Sequence, residues 1–203
     1  MAISYPLDTP TTIGFESIEL RAVNATITSQ SPFSYKQQVI SHTGQRWEAS
    51  VSIPSVLRDL AEPWAAFLTA LKGQTGTFLL GDPLGATPRG TVTSCTLTGN
   101  AGDESVAVTM TGSLLAGDYI QLGSGTTELV SGTTARLHKV LVDQSGSGTL
   151  EIWPALRSTY SSATVITTNA KGVFRLNQNM SSWQISNANS YGIAFEAVEA
   201  ITG

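Results

Sequence analysis

The 203 residues include 11 Lys and Arg against 15 Asp and Glu, a formal charge of −4 with a pI near 5.1; no basic stripe is available to neutralise nucleic-acid phosphates. Only 13% of the residues are charged and 41% are hydrophobic, so solubility rests on hydroxyl and amide groups. No run approaches the ~18 apolar residues of a spanning helix, and the opening MAISYPLDTP lacks the basic and apolar regions of a signal peptide; the expectation is a product made in a cytoplasm, with neither nucleic-acid binding nor membrane insertion.

Residues 13–30 (IGFESIELRAVNATITSQ) alternate at Ile18 and Leu20 and continue through Val23 and Ile27, which predicts a long or broken strand. Ser31-Pro32 predicts a turn. Residues 33–40, with Tyr35 and Val39, form a second strand. A third carries Trp47, Ala49, Val51 and Ile53 on one face and ends at Pro54.

The period then changes. Leu57, Leu60, Ala61, Trp64, Leu68 and Leu71 recur at spacings of three and four, widened by Phe67, which places them on one face of a helix over about 58–72. Asp59 and Glu62 have capping-box spacing, Pro63 fits a first turn, and Lys72-Gly73 suits a helix end. Residues 77–80 (TFLL) return as a strand that stops at Gly81-Asp82-Pro83. A lone helix with so apolar a stripe is expected to pack on a sheet.

After a Pro and Gly linker at 84–90 the chain becomes a series of short Thr, Ser and Val-rich strands. Candidates are 91–98, 105–111, 118–122, 128–130, 135–142, 149–153 and 164–167. Gly-rich turns separate them, as expected of a small antiparallel barrel or sandwich. Leu137, Val140, Val142, Leu150 and Ile152 are expected to fill its centre. Strands at 173–176, 183–185 and 191–198 resume the earlier style, and the last is expected to pair with the N-terminal strands. The predicted fold is therefore mainly β. A discontinuous sandwich-like outer domain, 1–89 and 171–203, carries one packed helix, and a small antiparallel β-barrel, 90–170, is inserted into it.

Residues that carry chemistry are scarce. The sequence has no P-loop, dinucleotide fingerprint, HExxH or CxxC. Cys95 is the single cysteine, in a strand-like TVTSCTLT, and is expected to be a buried, inert thiol. Asp82 and Asp118 stand in turn contexts where aspartate bonds nearby N–H groups, and Asp103-Glu104 reads as a solvated turn; Glu151 completes the set of carboxylates to test. Nothing marks His42 or His138 as partners of each other or of a carboxylate. His138 alternates with Leu137 and Lys139 in its strand and is expected to be solvent-facing or satisfied, with a metal ligand as the functional alternative. Trp153, before Pro154, suits the sealing of a barrel end, with sugar stacking as its functional alternative. No catalytic, cofactor-binding or metal-binding residue is assigned, no cofactor is expected, and the chain is not expected to be an enzyme.

The order GQRW, AEPWAAFLTALKG, GTFLLGDP, AGDYIQLG, LHKV, LEIWPALR, GVFRL and SSWQI resembles the tail-tip proteins of long-tailed bacteriophages, and most of all the distal tail protein. The helix Trp64-x2-Phe67-Leu68-x2-Leu71-x-Gly73, followed by GTF and the Gly-Asp-Pro turn, is the most distinctive part. The resemblance implies a structural virion protein at the tail tip, assembled in the host cytoplasm. It also implies a ring, commonly a hexamer, that joins the tail tube to hub or fibre proteins. The alternative is a glycan-binding module of a tail or secreted protein, motivated by Trp153 and the low charge.

Overall fold

The computed structural model describes residues 3–124, 134–187 and 190–201. In chain order the first part comprises β1 (Leu7–Asp8), β2 (Ser17–Gln30), β3 (Gln37–Leu57), α1 (Arg58–Ala70) and β4 (Thr77–Leu80). The middle comprises β5 (Ser94–Gly99), β6 (Ser105–Thr111), β7 (Ser113–Leu114), β8 (Tyr119–Leu122), β9 (Arg136–Val140), β10 (Gln144–Ser145), β11 (Gly148–Trp153) and β12 (Tyr160–Thr164). The chain ends with β13 (Gly172–Leu176), β14 (Trp183–Ile185) and β15 (Ser190–Glu199).

The protein is mainly β with one helix. A seven-stranded sheet has the order β1-β4-β13-β15-β3-β2, with β14 paired to β15. Its last strand lies antiparallel to β3, Phe195 opposite Val51 and Ala197 opposite Ala49. A second, curled half-barrel sheet of six strands has the order β12-β5-β6-β11-β9-β8. Gln121 on β8 bridges Ile166 just after β12, bringing the two ends of the curl together.

Two apolar cores result. Trp47, Val51 and Ile53 from β3 meet Trp64, Phe67, Leu68 and Leu71, with Phe78 and Phe174 beneath. Leu97, Val106, Val108, Ile120, Leu150 and Ile152 fill the curled sheet. Strand β8 is buried along its whole length and β9 nearly so, because these strands lie between the two cores. Tyr119 and Leu137 face the first, and Ile120, Leu122 and Val140 the second. Leu137 therefore does not belong to the centre of the curled sheet as expected, since alternation along β9 sends it the other way from Val140. Val142 lies beyond the strand and is exposed.

The helix differs from the sequence expectation at its start. Leu57 caps it with no side-chain hydrogen bond, so Asp59 and Glu62 do not form a capping box. Pro63 is the sixth helical residue, where its missing N–H leaves the Asp59 carbonyl without a helical donor. Leu57 and Leu60 are exposed, because the first turn precedes the point, at Ala61, where the helix settles on β15 and β3. The buried stripe is Ala61, Trp64, Ala65, Phe67 and Leu68.

The expected strands at 33–40 and around Trp47 are one 21-residue strand, β3, that runs past Pro54. Proline is tolerated there because β2 pairing stops at Ser52 on one side and the β15 register shifts between Ile53 and Val56 on the other. Residues 32–34 form the turn. In the middle segment the expected strand at 164–167 gives way to β12, since Ser162 adopts φ 50° and bulges the strand without breaking it. The expected strand at 128–130 lies outside the described residues.

Candidate assembly surface and the charged junction behind it

Of the carboxylates singled out for testing, Asp118, Asp82 and Asp103 clamp turns through backbone N–H groups. Asp118 is buried, and its carboxylate accepts backbone N–H bonds from Arg89 (2.9 Å), Gly90 (3.2 Å) and Leu115 (2.9 Å), tying the linker to the turn before β8. Asp82 accepts from Leu84 N at 2.9 Å and Asp103 from Asn100 N at 2.7 Å. Glu104 accepts from the Gln45 amide. Glu151 sits opposite Ser105 in the β11–β6 pairing. Among the described residues no three His, Cys, Asp or Glu side chains converge to hold a metal. Cys95 is buried, and burial pushes its thiol up to about 11; it is no nucleophile at neutral pH.

A charged cluster that the sequence did not announce sits where the two sheets meet. Glu199, at the end of β15, lies 3.7 Å from Arg136 of β9 and 3.3 Å from Arg157, and its side chain is 2% exposed. It also accepts the Trp47 backbone N–H at 3.1 Å. Arg136 donates to the Ala200 carbonyl at 2.6 Å, and Arg157 donates to the Gln45 carbonyl. Burial lowers the Arg136 guanidinium from its ordinary value although Glu199 pulls the other way. Sequence spacing contains no signal for this set, whose members come from positions 136, 157 and 199.

His42 is exposed and His138 is fully buried beside the cluster, so the solvent-facing option for His138 is excluded. Its Nδ1 lies 2.7 Å from the Pro154 carbonyl; the neutral ring therefore carries its proton on Nδ1 and donates. Nε2 has no partner among the described residues. Burial, with Arg157 and Arg136 nearby, pulls the ring down from 6.5 to about 4. Between those values the unfolded chain binds the proton and the folded chain does not, so stability falls as pH drops from about 6.5 to about 4. Denaturation midpoints should fall across that window, and His138→Gln should give a flatter profile than the parent.

The junction anchors a projecting arm. The Trp47 indole N–H donates to the Leu137 carbonyl at 2.9 Å, and its ring meets Trp153 edge-on at 4.6 Å. The Trp153 indole N–H donates to Asn24 at 2.8 Å, and Gln45 accepts from Ala155 N at 2.7 Å. Asn24 and Gln45 are paired, and beyond them β2 and β3 run on alone. The register shifts between Asn24 and Thr26, whose partners are Gln45 and Ser41. The residues left over on β3 form a bulge that bends the ribbon.

Past the bulge the ribbon continues through five pairs, from Thr26–Ser41 to Gln30–Gln37, and closes where Tyr35 N donates to the Ser31 carbonyl and Ser31 N to that of Lys36. The arm reaches about 20 Å from its root. Every residue from 24 to 44 is exposed or half-buried, on both faces of the ribbon. Ile27 and Ile40 oppose each other on one face, Val39 stands on the other, and Phe33 and Tyr35 crown the tip at 95% and 75% exposure. A two-stranded ribbon is marginal in water by itself.

No protein-family model matches the chain, and a search of curated proteins likewise gave no match.

Proposed function

We propose that the chain is a non-enzymatic structural protein of a bacteriophage tail tip, a ring that joins the tail tube to hub or fibre proteins. The observation that carries the assembly part of this reading is the arm: a bolted root and a ribbon whose apolar residues no described part of the chain covers. The tail-tip part rests on the resemblance of the helix and its flanking strands. A ring uses heterologous contacts, one patch against a different patch, with closure by rotation. The low charge suits such burial, since few ions need be desolvated.

Negative-stain microscopy over a range of concentrations, with native mass, tests the reading. Closed rings with a central channel are expected. A monomer at every concentration, both alone and with tail-tube protein, would defeat it, as would turnover of a polysaccharide or peptide lost on Asp82→Ala. The glycan-binding alternative needs a free face on Trp153. That ring is half-buried, meets Trp47 edge-on and has its N–H taken by Asn24; these contacts fix it in place and favour the packing role, so a blank glycan array is expected.

A further inference from the structure

We propose that the aromatic arm tip of one copy, Phe33 and Tyr35, docks in an acidic apolar groove beside the start of β2 in the next copy; this rests on the ring reading above. The groove encloses about 910 Å³ between residues 9–20 and the turn after β4. Ile13, Phe15, Ile18 and Leu84 supply apolar wall, and the Leu84 side chain is 96% exposed. Glu16 and Asp82 are the charged residues of its lining, with no Lys or Arg.

The arm carries the complement. Between Asn24 and Gly44 there is no acidic residue, and Lys36 follows Tyr35 directly. An exposed Phe and Tyr offer large, rigid apolar area at low conformational cost, and the Lys36 ammonium meets a groove whose fixed charge is negative, which sets orientation and rejects a like-charged patch.

Geometry makes the contact intermolecular. The groove lies at the Ser17 end of β2 and the tip at its Gln30 end. The twelve steps along the strand from Ile18 to Gln30 span about 40 Å, so an arm cannot fold back into its own groove. Tip to groove is therefore head-to-tail, the heterologous kind of contact from which rings are built.

Disulfide trapping tests it. Phe33→Cys and Leu84→Cys in one chain, mildly oxidised, should give a ladder of covalent oligomers ending at the ring's copy number. Each single variant should give none, because Cys95 is buried and unreactive. Phe33→Ser with Tyr35→Ser should raise the concentration needed for assembly at least tenfold while leaving the melting temperature unchanged, since both side chains are exposed in the free chain. Lys36→Glu should weaken assembly, and Glu16→Lys in the same chain should restore it.

Rings that form with neither a ladder nor sensitivity to the tip variants would overturn the docking and leave the ring standing. Phe33→Cys dimers without the second cysteine would overturn it in favour of tip-to-tip pairing. Tip variants that keep the ring but lose capture of tail-tube protein would assign the tip to the tube instead. No rings and no ladder would remove both readings.

Discussion

Trp64→Ala is expected to destabilise the protein by about 3–5 kcal/mol, read as a fall in melting temperature of about 10 °C. The indole is 0% exposed and joins three aromatic neighbours: Phe15 at 5.5 Å and Phe67 at 5.7 Å edge-on, and Phe195 at 6.2 Å. Alanine there removes the contact that holds the helix to β15 and to the segment before β2. Trp64→Phe should lose markedly less. The indole N–H is buried without a partner among the described residues, an arrangement that costs on the order of 1–3 kcal/mol, and phenylalanine removes that liability with the extra ring. A Trp64→Ala chain that melts with the parent would contradict the burial.

Glu199→Ala is expected to cost about 3–5 kcal/mol, because deleting one partner strands the others in a dry site. Arg136 and Arg157 would then face each other with no counter-charge, and the Trp47 N–H would lose its acceptor. The exposed pairs give the contrast. Arg58–Glu62 joins helical positions four apart at 3.0 Å, and Arg21–Glu19 meets at 2.8 Å, but solvent screens such exposed pairs and their loss costs little. Chemical denaturation of Glu199→Ala beside Glu62→Ala should separate the two classes. Equal losses would show that the junction is wetter than its burial indicates. The junction also roots the arm, so Glu199→Ala should weaken assembly beyond its effect on folding.

Much of the fold could be read from the residues, and the reasons are local. Period-two alternation at Trp47, Ala49, Val51 and Ile53 and again at Tyr191, Ile193, Phe195 and Ala197 marks faces that the sheet does bury. The change to spacings of three and four announces α1, and Asp118 in an Ala-Gly-Asp turn is clamped by backbone N–H groups as turn chemistry requires. The errors are equally local in origin. Proline at 54 reads as a strand end because sequence does not reveal that the pairing partners have already stopped or shifted beside it. Leu57 and Leu60 share the helical stripe, yet burial depends on where the sheet begins beneath the helix.

The arm shows the same division. Alternation along 24–44 is weak and polar and reads as an ordinary pair of strands, the second over 33–40 with Tyr35 and Val39 in it. Only the register, with a shift after Asn24 and no third strand beyond it among the described residues, turns those residues into an arm. The groove needs residues 9–20 brought beside 82–84, and the charged junction needs positions 136, 157 and 199 in one place. Sequence by itself determined the strands, the helix, the turn aspartates and the absence of known catalytic motifs, because periodicity and turn chemistry act over a few residues. Tertiary structure decided which faces are shared between two cores, which charges are buried together and which apolar residues are left uncovered, because each depends on contacts between segments far apart in the sequence.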